Sequence, residues 1–166
     1  EKLYSVGGAV FAAVREYRRQ LANRTERSVT HGCVVEPPYI DIHTGAVVWR
    51  LGGKRSDYTL EDRARFSWQH DARQIADGVI TLFDDGAGPV TTASQSRGIV
   101  LEVDSARRRV RLARAYQRPH GPLAASMGSL QVLPDDHVLV GWGEAGYASE
   151  FAADGSLLVD ARLPPE

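Results

Sequence analysis

Cysteine occurs once in the chain, as Cys33, and methionine once, as Met127. A lone cysteine forms no internal disulfide, so the 166 residues must hold together without that staple, and the redox character of the compartment stays open. An excess of either charge is also missing: 20 Lys and Arg stand against 21 Asp and Glu, a formal net charge of -1. With no global field to attract nucleic acid or an anionic surface, the expected partners are small molecules or protein. A membrane span needs roughly 18 to 20 uninterrupted apolar residues. The longest apolar stretch here, Val6 to Val14, is broken by Arg15, and no span is expected. A basic leader followed by an apolar run and a cleavage site is absent and the chain starts at Glu1, so the sequence reads as a piece of something longer.

What is present is enough apolar residue, 43%, for one ordinary core. Two compositional regions meet near Pro37-Pro38. Upstream, Val10, Phe11, Val14, Tyr17 and Leu21 recur at intervals of three and four between Arg15, Arg18, Arg19 and Arg24, which predicts a short amphipathic helix with a solvated basic face. Residues 1–38 are therefore set apart from 39–166. From Tyr39 onward, short runs of β-formers alternate with turns at Thr44-Gly45, Asp77-Gly78, Asp104-Ser105, Pro134-Asp135-Asp136 and Asp154-Gly155, which predicts an all-β array. One of the predicted strands covers Phe66 to Ala72 and another Val79 to Phe83.

The strands repeat. Placing Asp77-Gly-Val-Ile-Thr-Leu-Phe83 on Asp135-Asp-His-Val-Leu-Val-Gly141 gives an offset of 58 residues and sets His70 opposite Gly128. Outer hairpins follow each inner one, at Ile99 to Arg114 and at Ala148 to Asp160, and the hairpin from Tyr39 to Trp49 has the character of the tail of a preceding unit. Four-stranded units repeated this way are propeller blades, about two and a half of them here. Such rings close with roughly 4 to 8 blades, so the expected fold is a partial β-propeller, part of a larger ring.

His70 is the first place to look for chemistry, because it heads a strand, turn, strand unit whose other residues are easily read as structural. Its alternatives are a half-buried histidine satisfied by backbone carbonyls, or a metal ligand. The second is poor: no Cys or His lies two to five residues away, and His43, His120 and His137 fall in turns or loops, so no metal is expected. Asp71 should face the opposite side of the strand and end or solvate it. Trp49, Trp68 and Trp142 sit at or near strand ends, where propellers bury large rings; Trp68 is the one best placed to approach an aromatic ligand. Ala124-Ala-Ser126-Met-Gly128 lacks the first glycine of a nucleophile elbow and leads into a strand, leaving Ser126 ordinary.

The order and spacing of several segments resemble the bacterial arylsulfotransferases, in the branch common among actinobacteria and fungi. They are Thr44-Gly-Ala-Val-Val-Trp-Arg-Leu-Gly-Gly-Lys-Arg-Ser-Asp57, Phe66-Ser-Trp-Gln-His-Asp-Ala-Arg73, Ile80-Thr-Leu-Phe-Asp84 and Ser96-Arg97. Gln131-Val-Leu-Pro134, Val138-Leu-Val-Gly-Trp-Gly143, Ser149-Glu-Phe151, Asp154-Gly155 and Asp160-Ala-Arg-Leu-Pro164 continue the series. The resemblance runs from about Asp41 to Pro164 and implies the C-terminal part of a six-bladed propeller, from a family whose members are often exported. It also implies sulfuryl transfer between phenols through a transiently sulfated histidine, without a nucleotide donor or other cofactor. His70 matches the position of that histidine. The family's earlier motifs, which carry further histidines and an arginine, would precede Tyr39, and residues 1–38 do not resemble them. Asp85 and Ser129 stand where the family usually has asparagine, and Asp136-His137 where it often has Gly-Asn.

The resemblance thus implies an aryl sulfate donor and a phenol acceptor as partners, with His70 as nucleophile; Arg73 and Arg97, as the nearby cations, and Trp68, as the nearby ring, are the substrate-binding candidates. Strand alternation would point Arg73 away from the axis. With the upstream partners missing, the chain is expected to be incomplete or inactive as it stands. A non-catalytic propeller serving as a binding platform is the second reading. A quinoprotein-like propeller is the third, suggested by Thr44-Gly-Ala-Val-Val-Trp49.

Overall fold

The computed structural model describes residues 27–29, 38–41, 43–87 and 91–163, and the predicted helix lies outside them. The described residues are almost wholly β, in three sheets with no closed barrel, as expected of a partial propeller-like fold. The first sheet holds β1 (Arg27–Val29), β2 (Pro38–Asp41) and β3 (Val47–Arg50) as an antiparallel meander. β1 thus pairs with β2 across the junction near Pro38.

The second sheet is a meander of β5 (His70–Ala76), β6 (Val79–Asp84), β7 (Arg97–Asp104) and β8 (Arg109–Tyr116). The two-residue β4 (Thr59–Leu60) adds in parallel to the outer edge of β8. The third sheet repeats the meander as β9 (Gly128–Val132), β10 (Val138–Trp142), β11 (Tyr147–Phe151) and β12 (Leu157–Arg162). His70 and Gly128, aligned by the sequence repeat, are the first residues of β5 and β9.

The Asp77-Gly78 turn closes the β5–β6 hairpin because Gly78 takes a φ of +65°. A side chain at 78 would also meet the carbonyl oxygen of Val103, while the Gly78 carbonyl accepts from the Val103 N–H at 2.7 Å. That glycine therefore serves the hairpin and the next strand together.

Alternation along β6 and β7 divides the buried side chains between two faces. Ile80, Leu82, Ile99 and Leu101 share one core cluster with Tyr39, Leu51 and Tyr58, and Trp49 stacks on Tyr39 with 4.6 Å between ring centroids. Phe83 and Tyr116 join Leu130, Val138, Val140, Trp142 and Phe151 in a second cluster, between the two meanders. Phe83 meets Trp142 edge to face at 5.7 Å, and the Trp142 indole N–H donates to Ser149 Oγ at 2.8 Å. Full burial of such rings contributes about 1.5 to 3 kcal/mol each. The close approach has a steric condition: a Cβ on Gly128 would overlap the Phe83 ring, and one on Gly98 would lie 2.6 Å from Leu130 Cδ1.

The strand expected over Phe66 to Ala72 instead starts at His70 and runs to Ala76. Two features hold the preceding residues off the ladder. Trp68 has a φ of +56°, outside the extended region, and the Ser67 N–H donates to the Asp84 side chain at 2.9 Å in place of a strand partner.

Candidate active site

His70 stands at the head of β5, and its position depends on irregular backbone on both sides. Trp68 and Asp71 adopt positive φ values of 56° and 52°, a conformation that L-residues with bulky or charged side chains seldom take outside constrained sites. The ladder also shifts register twice, so that His70 pairs with Phe83, Arg73 with Thr81, Gln74 with Ile80 and Ala76 with Val79. Each shift is a bulge that re-aims what precedes it. Phe83 and Thr81 share a face of β6, so their partners His70 and Arg73 share one as well, and the plain alternation expected along this strand does not hold.

The ring of His70 is mostly buried, and its Nδ1 lies 2.6 Å from Oδ2 of Asp85, a fully buried carboxylate just past the end of β6. Asp85 is two residues beyond Phe83, on the same side of the pleat as His70. Its backbone is pinned by the Ser96 hydroxyl, which donates to the Asp85 carbonyl at 2.6 Å and accepts from the Ala124 N–H at 2.8 Å. The other carboxylate oxygen, Oδ1, is buried with no hydrogen-bond partner among the described residues. Burial pushes the Asp85 carboxyl up to about 7, against the attraction of His70 and with added repulsion from Asp84 and Glu144.

Asp84 is buried beside it and is satisfied differently. One oxygen accepts from the Ser67 N–H and the other from Arg97 Nε at 2.9 Å. Burial raises its carboxyl above the ordinary range despite both bonds. Arg97 completes the arrangement by donating to the Arg65 carbonyl at 2.6 Å. Arg73 is held by Asp71 at 2.6 Å, and the second oxygen of Asp71 accepts from the Leu130 N–H at 3.3 Å. Asp71 therefore ties β5 to β9 as well as holding Arg73, which differs from the strand-ending role expected of it.

The structure thus forms two polar pairs at one end of the second sheet, His70 with Asp85 and Arg97 with Asp84, carried by neighbouring residues at the end of β6. Trp68 is half-buried two residues before His70. Arg97, Asp84, Ser67 and Phe66 line an open cavity of about 690 Å³, of which His70, Trp68 and Arg73 are not lining residues. No cluster of three or more His, Cys, Asp or Glu able to hold a metal ion occurs among the described residues. None of their helices is long and apolar enough to cross a membrane.

Asp85 was the partner that residue-type reasoning missed, although a signal existed. In a regular hairpin about Asp77-Gly78, counting back from the Ala76 and Val79 pair sets His70 directly across from Asp85. The two bulges turn that direct pairing into a diagonal one and leave the side chains in contact.

Two four-stranded meanders packed together, with a histidine at the head of β5 and a buried carboxylate just past β6, define a nearly all-β, propeller-like fold. A family model described as arylsulfotransferase (ASST) matches residues 28–163. The chain belongs to the arylsulfotransferase family. Among solved structures it is similar to the crystal structure of a protein of unknown function from Bacteroides caccae, at 13% identity and a TM-score of 0.43. The alignment covers 84% of this chain and 58% of that one, so the present chain spans little more than half the length of that neighbour. A search of the curated proteins finds no match.

Proposed function

We propose that the protein is an arylsulfotransferase-like transferase that moves a sulfuryl group from a phenolic sulfate ester to a phenol, with His70 as the transient acceptor. The observation that carries this reading is the placement of His70: a mostly buried imidazole at the head of an inner strand, held at 2.6 Å by a fully buried carboxylate. An imidazole that attacks must be neutral, and an ordinary histidine is largely so near neutral pH.

In the first step a ring nitrogen donates its lone pair to the ester sulfur while the sulfur to aryl-oxygen bond breaks, and the phenolate departs with that bonding pair. The ring, now sulfated, carries a positive charge. In the second step the acceptor phenol's oxygen attacks the sulfur, the nitrogen recovers its electron pair, and the phenolic proton passes to solvent. As in phosphoryl transfer, the protein's contribution is to position the reactants and complement charge on the peripheral oxygens. Arg97, Arg73 and Trp68 are the candidates for contact with substrate.

A non-catalytic binding platform is the second reading, favoured by the engagement of Arg73 and Arg97 with Asp71 and Asp84. The two separate on incubation with p-nitrophenyl sulfate and an acceptor phenol. Release of p-nitrophenol that is lost in His70→Ala supports transfer through this histidine. Absence of release leaves the platform, and release undiminished in His70→Ala removes His70 from the mechanism while keeping the activity.

A further inference from the structure

The contact between His70 and Asp85 does more than fill space. We propose that Asp85 is a positioning residue for His70, holding it as the Nδ1–H tautomer so that Nε2 is the nitrogen that takes the sulfuryl group. The inference rests on the sulfuryl-transfer reading for its chemistry and on geometry alone for the tautomer.

A neutral imidazole in water favours the proton on Nε2, and reversing that preference requires an acceptor fixed at Nδ1. Asp85 Oδ2 is such an acceptor at 2.6 Å, short as charge-assisted bonds are. Its placement is well determined, since Asp85 follows β6 directly and its carbonyl is anchored by Ser96, which also ties it to Ala124. With the proton on Nδ1, the in-plane lone pair belongs to Nε2.

The unsatisfied oxygen indicates why a carboxylate is useful there. A buried carboxylate with one oxygen lacking a hydrogen bond is costly in a resting site, and buried groups of this kind concentrate where chemistry is done. When Nε2 takes the sulfuryl group the ring becomes cationic, and the bond from Nδ1–H to Asp85 becomes an ion pair inside the protein. No proton needs to move. Asp85 therefore stabilises the sulfated ring more than the resting one, which is the condition for accelerating its formation.

The charged groups around the carboxylate come from three elements: His70 on β5, Asp84 at the end of β6 and Glu144 in the turn after β10. Arg97 of β7 is spent on Asp84. When the dyad holds one further proton, either on the carboxylate or as an imidazolium, Nε2 has no lone pair to give.

The test is nitrogen NMR of the whole chain labelled with ¹⁵N-histidine, the His70 signals being assigned by their loss in His70→Gln. The wild-type protein should show the Nδ1–H tautomer at pH 8. Asp85→Ala should return His70 to the Nε2–H form. Asp85→Asn, whose amide oxygen still accepts, should keep the tautomer without the charge and lower kcat for p-nitrophenyl sulfate by roughly 100-fold with KM little changed. An Nε2–H His70 in the wild-type protein overturns the proposal, as does an unchanged kcat in Asp85→Asn. If the wild-type tautomer is as expected but no p-nitrophenol is released, the positioning stands and the sulfuryl-transfer reading falls.

Discussion

His70 Nδ1 lies 2.6 Å from Asp85 Oδ2, joining the first residue of β5 to the residue that follows the end of β6. Every irregularity nearby supports that contact. The bulges in β5 bring the ring diagonal to the carboxylate, the positive φ values at Trp68 and Asp71 bracket it, and Ser96 secures the backbone that carries Asp85.

The pH dependence of folding follows from the raised carboxyl of Asp85. Its folded value, about 7, lies above the ordinary 3.8, so the fold favours the protonated form. The associated stability is fully present below 3.8 and is lost as pH rises through about 7. Replacing Asp85 by Asn removes the titration but not the shape. Thermal melts should show the wild-type Tm falling between pH 5 and pH 8 and a smaller fall in Asp85→Asn, each kcal/mol so relieved being worth about 2 to 4 °C. Parallel curves for the two proteins would contradict this.

Catalysis should run against that trend. The dyad must lose its extra proton before Nε2 can attack, so initial rates of p-nitrophenol release should rise with pH through about 7. A rate that falls over the same range would place the reacting lone pair elsewhere.

The ion pair between Arg97 and Asp84 is a third point of test. Asp84 is nearly fully buried, and removing its cation leaves a carboxylate with only the Ser67 and Gly86 backbone N–H groups for compensation. Arg97→Met should destabilise the fold by about 3 kcal/mol in urea titration, and adding Asp84→Asn should recover much of the loss. A double variant no more stable than the single one would mean that Arg97 acts through its packing.

How much of this was legible in the chain differs between fold and site. The 58-residue repeat aligned His70 with Gly128, and both begin the inner strands of their meanders. Turn chemistry at Asp77-Gly78 and Asp154-Gly155 located hairpins that the structure contains. The start of β5 was misplaced by four residues because Phe66-Ser-Trp has strand composition, whereas the backbone there is set by Asp84 and a left-handed Trp68. Asp85 stood out as a departure from the family's usual asparagine, and counting the register back from the Asp77-Gly78 turn would have set it across from His70. Its link to His70 depends on register, and bulges are not written in residue type. The same register shifts put Arg73 on the face of His70, where plain alternation would have turned it away. The two-residue β4 carries too short a pattern to be read at all.

The repeat also explains an apparent mismatch, the absence of a histidine where His70 has its counterpart. At Gly128 the space a side chain would occupy is filled by Phe83. Gly128→Ala should therefore cost about 1 to 3 kcal/mol by overpacking. Adding Phe83→Leu should reduce that penalty, as read by the change in urea midpoint. A Gly128→Ala protein as stable as wild type would show that the two meanders pack less closely than described here.

The most direct measurement is the mass of the peptide carrying His70 after brief exposure to p-nitrophenyl sulfate without acceptor, quenched in base to protect the nitrogen to sulfur bond. The account predicts one added sulfuryl group on that peptide, lost when a phenol acceptor is supplied before quenching and absent in His70→Ala. An unmodified His70 peptide alongside measurable p-nitrophenol release would contradict it.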